Sequence, residues 1–509
     1  MGDETLLIRA DANVAMGTGH VMRCLALAQA WQDAGGRAGF AMAEMATWVQ
    51  QRLLQESVPI FEVSSPAGTG EDARSTAAIA REQAAAWVVV DGYQFGQDYP
   101  QLVKAAGFKI LFLDDYGHAE HYVADLVLNQ NVSADANAYE NRTPYTRLLL
   151  GPAYCLLRRE FNAWREWKRE FTPAAHRVLV TMGGSDPENF TQRAIEALNL
   201  VDDEELEAAI VVGGSNAHAE LLDRIASQAG KKISVQRGIS NMAELMAWAD
   251  IAVSAAGTTC WEMCLMGLPA LLIDLAENQT PVARELNRRG CAVHLGGPGD
   301  VSSTKLAGQV ERLLNSMEER RALSLRCREL VDGKGAQRVV SAMGRVKLRL
   351  RPAGAGDSRL LWEWVNDPQV RAASFSSAAI PWKTHDEWFT EKLESGAASI
   401  LIAENDEGTP VGQIRFDLRA DGEAEIAISI AKSWRGRGLA AVLIRQAQSG
   451  LSGGRCPRLH AYVKPENVAS VKAFEKGGFK QAGIARVRGN AAVHLICEVN
   501  QGSVASDAG

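Results

Sequence analysis

No run of apolar residues in this 509-residue chain approaches the roughly 18–20 that a membrane-spanning helix needs. The nearest, GLPALLIDLA, is interrupted by Pro269 and Asp274. The N-terminus, MGDETLLIRAD, carries acids where a secretory signal needs basic residues, and no apolar core follows it. Both absences predict a cytoplasmic protein with no membrane insertion. The 54 lysines and arginines are outnumbered by 61 aspartates and glutamates, giving a formal net charge of −7, and they form no dense run. This argues against bulk nucleic acid as a partner but leaves room for a local anion site. None of the eight cysteines falls in a CxxC pair. Cys260 and Cys264 lie four apart on an expected helix, but the further ligands zinc needs are missing nearby. No metal is therefore expected, and the thiols read as buried and reduced.

Length alone suggests about three domains, and 47% apolar with 23% charged residues is the composition of ordinary globular protein. LLIRA (6–10), AWVVVDG (86–92) and KILFLDDYG (109–117) read as strands, the last two ending in Asp/Gly turns. Between the first two, HVMRCLALAQAWQDAGG reads as a helix closed by Gly35-Gly36. Continuous apolar strands of this kind imply a parallel sheet covered on both faces. After the polar stretch NAWREWKREFTPAAH the pattern restarts with RVLVTMGGSD (177–186), AAIVVGGSN (208–216), ISVQRG (233–238), DIAVSAAG (250–257) and PALLID (269–274). The expectation is an α/β pair of doubly wound, Rossmann-type domains over 1–168 and 174–340, with a charged helical stretch at 304–331. From 347 the texture changes to meander-like strands, SILIAEN, TPVGQIRFDLR and EAEIAISIA. A helix signal, RGRGLAAVLIRQAQSGL, a strand, RLHAYV, and a short helix, ENVASVKAFEKGGF, follow. This predicts an α+β third domain over 346–500, and 501–509 reads as a disordered tail.

A glycine loop between strand and helix can seat a phosphate on the helix N-terminus. Two such loops stand in the second domain: Gly183, Gly184 and Ser185 of TMGGSDPEN, and Gly257, Thr258 and Thr259 of AAGTTCWE. Glu262, one turn further, is placed to accept from ribose hydroxyls. Tight βα turns alone also account for these glycines. Neither loop is G-x-G-x-x-G or carries a P-loop lysine, which argues against dinucleotides and ATPase chemistry. In the first domain GTGHVMRC sets Gly17 and Gly19 before His20, in the opening turn of a helix. The positive end of the helix dipole disfavours an imidazolium there, and a simple capping role is the alternative. Arg9, Asp11, Arg23 and the Asp114-Asp115 pair read equally as turns or salt bridges.

Two α/β domains with such loops in the second resemble the GT-B architecture of nucleotide-sugar enzymes. More closely, RADANVAMGTGHVMRCLALA, LLGPAYCLLRREF, VTMGGSDPEN and AAGTTCWE…GLPALLI…AENQ resemble the UDP-sugar hydrolase family of pseudaminic acid biosynthesis (PseG type), over roughly residues 5–340. That resemblance implies a nucleotide sugar as partner and hydrolysis of UDP-2,4-diacetamido-2,4,6-trideoxy-β-L-altropyranose to free sugar and UDP, with inversion. It also implies His20 as the base that activates water. The loops Gly183–Ser185 and Gly257–Thr259 would hold the diphosphate without a metal. Asn278 and Gln279 match the family's stretch after GLPALLI and are assigned to the sugar. Tyr93 is assigned there too, although VDGYQF lacks the histidine of the family's VDHYG-like stretch. A glycosyltransferase, and an enzyme of another aminosugar pathway such as a legionaminic type, stay open.

SWRGRGLA (433–440) carries R-x-x-G-x-A after a strand and opens a helix, so its small residues and successive N–H groups suit a pyrophosphate. With ENVASVKAFEKGGF downstream it resembles the GNAT acyltransferase family over about residues 347–500, which implies acetyl-CoA as co-substrate. The implied contacts are Ile428, Ile430, Arg435, Gly436, Arg437, Gly438, Leu439, Ala440, Asn467 and Phe474, with Asn467 equally a helix cap. Glu425 matches the family's strand carboxylate that serves as general base, and equally reads as a solvent-facing strand residue. Phe474 stands where many members have the tyrosine that protonates the departing thiolate, which leaves the acid open between Tyr462 and solvent. Trp382, Trp388 and Trp434 read as pocket walls or as core. Together the two resemblances imply a bifunctional enzyme that N-acetylates a UDP-4-amino sugar (PseH type) and then removes UDP; a GNAT half that acts on a different amine, such as a protein amine, or that only binds a nucleotide, stays open.

Overall fold

Residues up to Val340 and those from Ser341 onward form two separate units. The computed structural model describes residues 4–12, 19–184, 186–214, 216–344, 348–395, 398–405, 408–436, 438–450 and 458–498. Gly17, Ser185, Arg437 and the tail 501–509, all singled out above, lie outside the described residues.

The apolar runs of the first unit become two parallel sheets. The first contains β1 (Thr5–Ala10), β2 (Arg37–Met42), β3 (Ile60–Glu62), β4 (Ala85–Asp91), β5 (Lys109–Leu113), β6 (Leu126–Asn129) and β7 (Arg147–Leu150), in the order β3-β2-β1-β4-β5-β6-β7. The second contains β8 (Arg177–Thr181), β9 (Glu207–Val211), β10 (Lys232–Gln236), β11 (Ile251–Ala255), β12 (Ala270–Ile273) and β13 (Val293–Gly296), in the order β10-β9-β8-β11-β12-β13. Every residue of β1, β11 and β12 is buried, which is why these strands show no polar alternation. The three- and four-residue strands β3, β6, β7 and β13 escape the sequence reading because they are shorter than any legible period.

In each sheet the strand order reverses once, between β1 and β4 and between β8 and β11. The carboxyl ends of strands at such switch points open a crevice in which ligands bind. The charged stretch expected to be helical is two helices, Ser303–Asn315 and Met317–Leu330. They break at Ser316, whose side chain accepts from the Glu319 N–H and starts the second. A helix beginning at Gly335 turns back onto the end of the first sheet. A Cβ there would fall 2.2 Å from the Cys155 carbonyl oxygen, so only glycine allows the approach.

The second unit is built on one sheet of β14 (Arg349–Pro352), β15 (Ala398–Glu404), β16 (Pro410–Leu418), β17 (Ala424–Ile430), β18 (Arg458–Val463), β19 (Lys480–Val487) and β20 (Asn490–Glu498). Their order is β14-β15-β16-β17-β18-β20-β19. All neighbours are antiparallel except β17 and β18, which run parallel and pair only at Ala424↔Leu459 and Glu425↔His460. Helices Leu439–Gly450 and Val468–Lys476 cover one face, packing Leu443, Ile444 and Phe474 against Ile414, Ile426, Leu459 and Leu495. Helices Ser358–Val365 and Trp382–Ser395, which the sequence reading does not mark, bring Leu361 and Phe389 to Ile400 and Ile402. Among the described residues no helix is long and apolar enough to cross a membrane, and all seven described cysteines are free, six of them buried.

Candidate active sites

Between the two sheets of the first unit lies a cleft of about 960 Å³. Gly19, His20, Tyr93, Gly183, Gly184, Gly257, Thr258, Thr259, Glu262, Asn278 and Gln279, all expected at a nucleotide-sugar site, line it together. The two switch points explain this convergence. His20 follows β1 and Tyr93 follows β4, while Gly183-Gly184 follow β8 and Gly257 follows β11.

His20 is the second residue of helix Gly19–Asp33, and Nδ1 of its ring lies 2.7 Å from Oδ1 of Asp91, the last residue of β4. Arg23, one turn along the same helix, donates to both Asp91 oxygens at 2.7 and 2.6 Å and to Asp115 at 2.7 Å. Asp91 is fully buried. Burial alone would push its pKa up, but the Arg23 charge and the hydrogen bonds from Arg23 and His20 overcome that and hold it well below the ordinary carboxylate range. An ionised carboxylate only accepts. The Nδ1 proton of His20 therefore points at Asp91, and in the neutral ring Nε2 keeps the lone pair.

Tyr93 stacks edge-on against the His20 ring at 4.9 Å. Its hydroxyl donates to Asp115 at 2.8 Å and accepts from Asn278 at 3.0 Å. Burial, followed by the Asp115 charge, pushes the Tyr93 pKa up and keeps it protonated. Asn278 belongs to the turn after β12, so this hydroxyl bridges the two sheets. A Cβ on Gly19 would stand 3.4 Å from Thr258 Oγ1, which shows how closely the His20 helix start approaches the loop after β11.

In the second sheet, Gly183 adopts φ +84°, a conformation that favours glycine. A Cβ on Gly213, at the end of the neighbouring strand, would lie 2.2 Å from the Gly184 carbonyl oxygen. The first of the two glycine loops, Gly183-Gly184, is thus packed backbone to backbone against Gly213. Helix Thr259–Met266 starts at the second loop. Gln279 is turned toward this loop: its Oε1 accepts from the Leu275 N–H at 3.0 Å, and its Nε2 lies 4.0 Å from where a Gly257 Cβ would be. Glu262 pairs with Arg158 at 2.9 Å. Burial outweighs that pairing, and its carboxyl is pushed up to about 7.

The sequence reading misses Asp91, Asp115 and Arg158 as site residues. Asp91 had a signal, an acid ending an apolar strand, and Arg158 sits inside LLGPAYCLLRREF. Arg23 joins the His20 network, whereas Arg9 is a buried structural cation held by Asp72 at 2.9 Å and by Asp11 at 2.7 Å.

In the second unit, β17 and β18 part after Glu425 and His460, leaving the β18-facing edge of Ile426–Ile430, including Ile428 and Ile430, outside that ladder. Gly436 and Gly438 adopt φ +77° and +75°, and nothing stands within 4 Å of where their Cβ atoms would be. This open edge and bare-backbone turn at the start of helix Leu439–Gly450, where Leu439 and Ala440 sit, fit the pantetheine and pyrophosphate of acetyl-CoA. The Arg435 side chain is turned away from that turn: it donates to Asp367 and Gln369, each at 2.8 Å, and to the Ile430 carbonyl at 3.0 Å. Asn467 caps its helix, accepting from the Ser470 N–H at 3.2 Å. Phe474 is a core residue, 3% exposed and edge-on to Phe479 at 5.1 Å. Glu425 is exposed on β17, opposite Asp417 of β16. Trp388 lies under the Arg415 guanidinium at 5.2 Å, and Trp382 lies edge-on to Trp362 at 5.8 Å.

Residues 177–329 match the model of the glycosyltransferase family 28 C-terminal domain, and residues 347–480 match that of the acetyltransferase (GNAT) domain. The chain is 30% identical over 237 residues to the spore coat polysaccharide biosynthesis protein SpsG of Bacillus subtilis, covering 46% of this chain and 68% of that one. It is 26% identical over 291 residues to the UDP-2,4-diacetamido-2,4,6-trideoxy-beta-L-altropyranose hydrolase of Campylobacter jejuni, covering 57% of this chain and 98% of that one. An uncharacterized protein of Methanocaldococcus jannaschii is 22% identical over 497 residues, covering 94% of this chain and 96% of that one.

Proposed function

The chain belongs, through its N-terminal part, to the family of SpsG and the UDP-diacetamido-trideoxy-altropyranose hydrolase, and it carries a GNAT domain behind that part; from this premise we propose that it is a bifunctional nucleotide-sugar enzyme. Its first site hydrolyses UDP-2,4-diacetamido-2,4,6-trideoxy-β-L-altropyranose to UDP and free sugar. Its second site transfers acetyl from acetyl-CoA to the 4-amino group of the precursor UDP-sugar.

The observation that carries the first half is the His20–Asp91 pair, 2.7 Å apart in the cleft. Nε2 of His20, with its lone pair free, takes a proton from water as that water attacks the anomeric carbon. The anomeric C–O bond to UDP breaks on the opposite face, so configuration inverts. The imidazolium formed on His20 is stabilised by Asp91, which is already ionised. Charge developing on the departing diphosphate falls on the N–H groups of the Gly183-Gly184 loop and of the turn into helix Thr259–Met266. Glu262 and its partner Arg158 serve the nucleoside end, and Tyr93, Asn278 and Gln279 the sugar. In the second half, the splay of β17 from β18 and the Gly436–Gly438 turn hold acetyl-CoA, and Glu425 stands on the strand beside it.

Incubating the chain with the UDP-sugar alone and following products by mass spectrometry and NMR tests the first half. Free sugar of inverted configuration appearing with UDP is the expected result. Release only after an acceptor is added identifies a glycosyltransferase, the reading that the family 28 match favours. Supplying the UDP-4-amino sugar with acetyl-CoA tests the second half: CoA release and a mass gain of one acetyl group are expected, and their absence overturns it.

A further inference from the structure

Four polar side chains that the reading above leaves unused meet on the face of the second unit's sheet away from helices Leu439–Gly450 and Val468–Lys476. They come from the start of β17 and from the adjacent strands β18 and β20. Nε2 of His460 is hydrogen-bonded to Oε2 of Glu423, and Nδ1 of His460 lies 2.9 Å from Nε2 of His494. The two imidazole planes differ by 11°, so the bond lies nearly within both rings. Tyr462 stacks on His494 at 4.7 Å with planes 10° apart, and its hydroxyl accepts from Arg419 at 3.4 Å. His460 is 6% exposed. It is also the register partner of Glu425 at the last pair before β17 and β18 part, so the chain of rings begins at the mouth of the expected acetyl-CoA cleft.

The tautomers follow from the acceptor at the far end. An ionised Glu423 accepts, so His460 donates from Nε2, and its Nδ1 must then accept from the Nε2 proton of His494. A neutral His494 arranged this way carries its lone pair on Nδ1. Among the described residues that atom has no hydrogen-bond partner. Burial first, and then the Arg419 cation, lower the His494 pKa, which favours the neutral ring, able to accept. The charged and titratable groups that act on or touch it are His460 and Tyr462 from β18 and Arg419 from the turn after β16. The strand on its other side presents Gly483.

We propose that Glu423, His460 and His494 form a proton relay for acetyl transfer, with His494 the base that deprotonates the acceptor amine. This rests on the acetyltransferase reading above. Nδ1 of His494 takes one proton from the acceptor ammonium. The free amine nitrogen then forms its bond to the acetyl carbon as the thioester C–S bond breaks. The second proton leaving that nitrogen goes to the departing thiolate, giving free thiol. The proton held by His494 passes from its Nε2 to Nδ1 of His460, and the relay discharges to water at Glu423, whose side chain is 20% exposed. Atoms and charge balance as ammonium plus thioester giving amide, thiol and one released proton. Glu423 and His460 are positioning residues in this scheme, since they act through His494.

The test uses the full chain, a UDP-4-amino sugar and acetyl-CoA, with wild-type turnover measured first. His494→Gln is expected to lower kcat by about 100-fold while KM for acetyl-CoA is unchanged. Glu423→Gln removes the charge that stabilises a protonated relay, so the acid limb of its kcat–pH profile moves to lower pH as kcat falls. Long-range 15N–1H NMR of the wild type is expected to find Nδ1 of His494 unprotonated at neutral pH. If wild type acetylates and both variants keep its kcat and acid limb, the relay is wrong while the acetyltransferase reading stands. The relay is equally wrong if Glu425→Gln alone abolishes the acid limb. If wild type releases no CoA with this acceptor, the reading fails and the relay with it. Should His494→Gln not fold, the Glu423→Gln profile and the NMR tautomer decide.

Discussion

The two units place their chemistry in different parts of a sheet. In the first, the candidate side chains stand at or just beyond the carboxyl ends of parallel strands, around the points where the strand order reverses. In the second, the candidates project from the faces of neighbouring strands, Glu425 on β17, His460 on β18 and His494 on β20. A parallel sheet buried on both faces has only its strand ends to offer a ligand. A mostly antiparallel sheet that splays between two strands offers a face. The charge arrangements differ accordingly. Around His20 the carboxylates are buried and answered by a guanidinium, whereas the His460–His494 chain runs through two nearly parallel imidazoles to a partly exposed Glu423.

The sharpest way to break this comparison is at His20. His20→Asn should lower sugar release by about 1,000-fold while calorimetry still detects UDP binding, since the loops proposed to hold the diphosphate belong to the other sheet. Near-normal turnover would remove the cleft from the chemistry. A second test asks whether the buried charges are structural as well as chemical. Arg23→Met leaves Asp91 buried without its guanidinium, and the expected cost is about 3–5 kcal/mol in denaturant unfolding of the first unit.

Glu262 tests the other side of the cleft through pH. Its folded-state carboxyl titrates near 7 against an ordinary value of 4.5, so between those values the folded chain holds a proton that the unfolded chain has lost. Stability from this group is complete below pH 4.5 and declines as pH rises toward 7, by an amount on the order of 3 kcal/mol. Glu262→Gln should flatten that slope, and an unchanged slope would mean the carboxyl is ionised throughout. The smallest expected effect lies in the second unit. Asn467→Ala should cost about 1 kcal/mol of stability through loss of a helix cap, with KM for acetyl-CoA unchanged; a raised KM would assign Asn467 to the ligand instead.

The fold was largely legible because its strands are long, apolar and punctuated. AWVVVDG and DIAVSAAG declare both a buried strand and the turn that ends it. Strands β3, β6, β7 and β13 did not stand out at three or four residues each. Neither did β19 and β20, which form an outer hairpin whose first strand is mostly exposed. The first site was legible wherever a glycine or histidine marked a loop. Its carboxylates were not, because aspartates at turns are common and nothing local separates Asp91 from Asp114. In the second unit the pattern gives Asn467 as a ligand contact or a helix cap and Phe474 as a ligand contact, and the structure shows Asn467 capping its helix and Phe474 in the core.

Sequence by itself determined the spacing of strand, glycine and helix that puts His20, Gly183 and Gly257 at helix starts, because those preferences act over a few residues. Only the tertiary structure decided which acid orients His20, which strand brings His494 to His460, and which cation answers Glu262. These partners are separated by 71, 34 and 104 residues. Local propensity carries no information over such distances, and only the order of strands in the sheets brings the groups together.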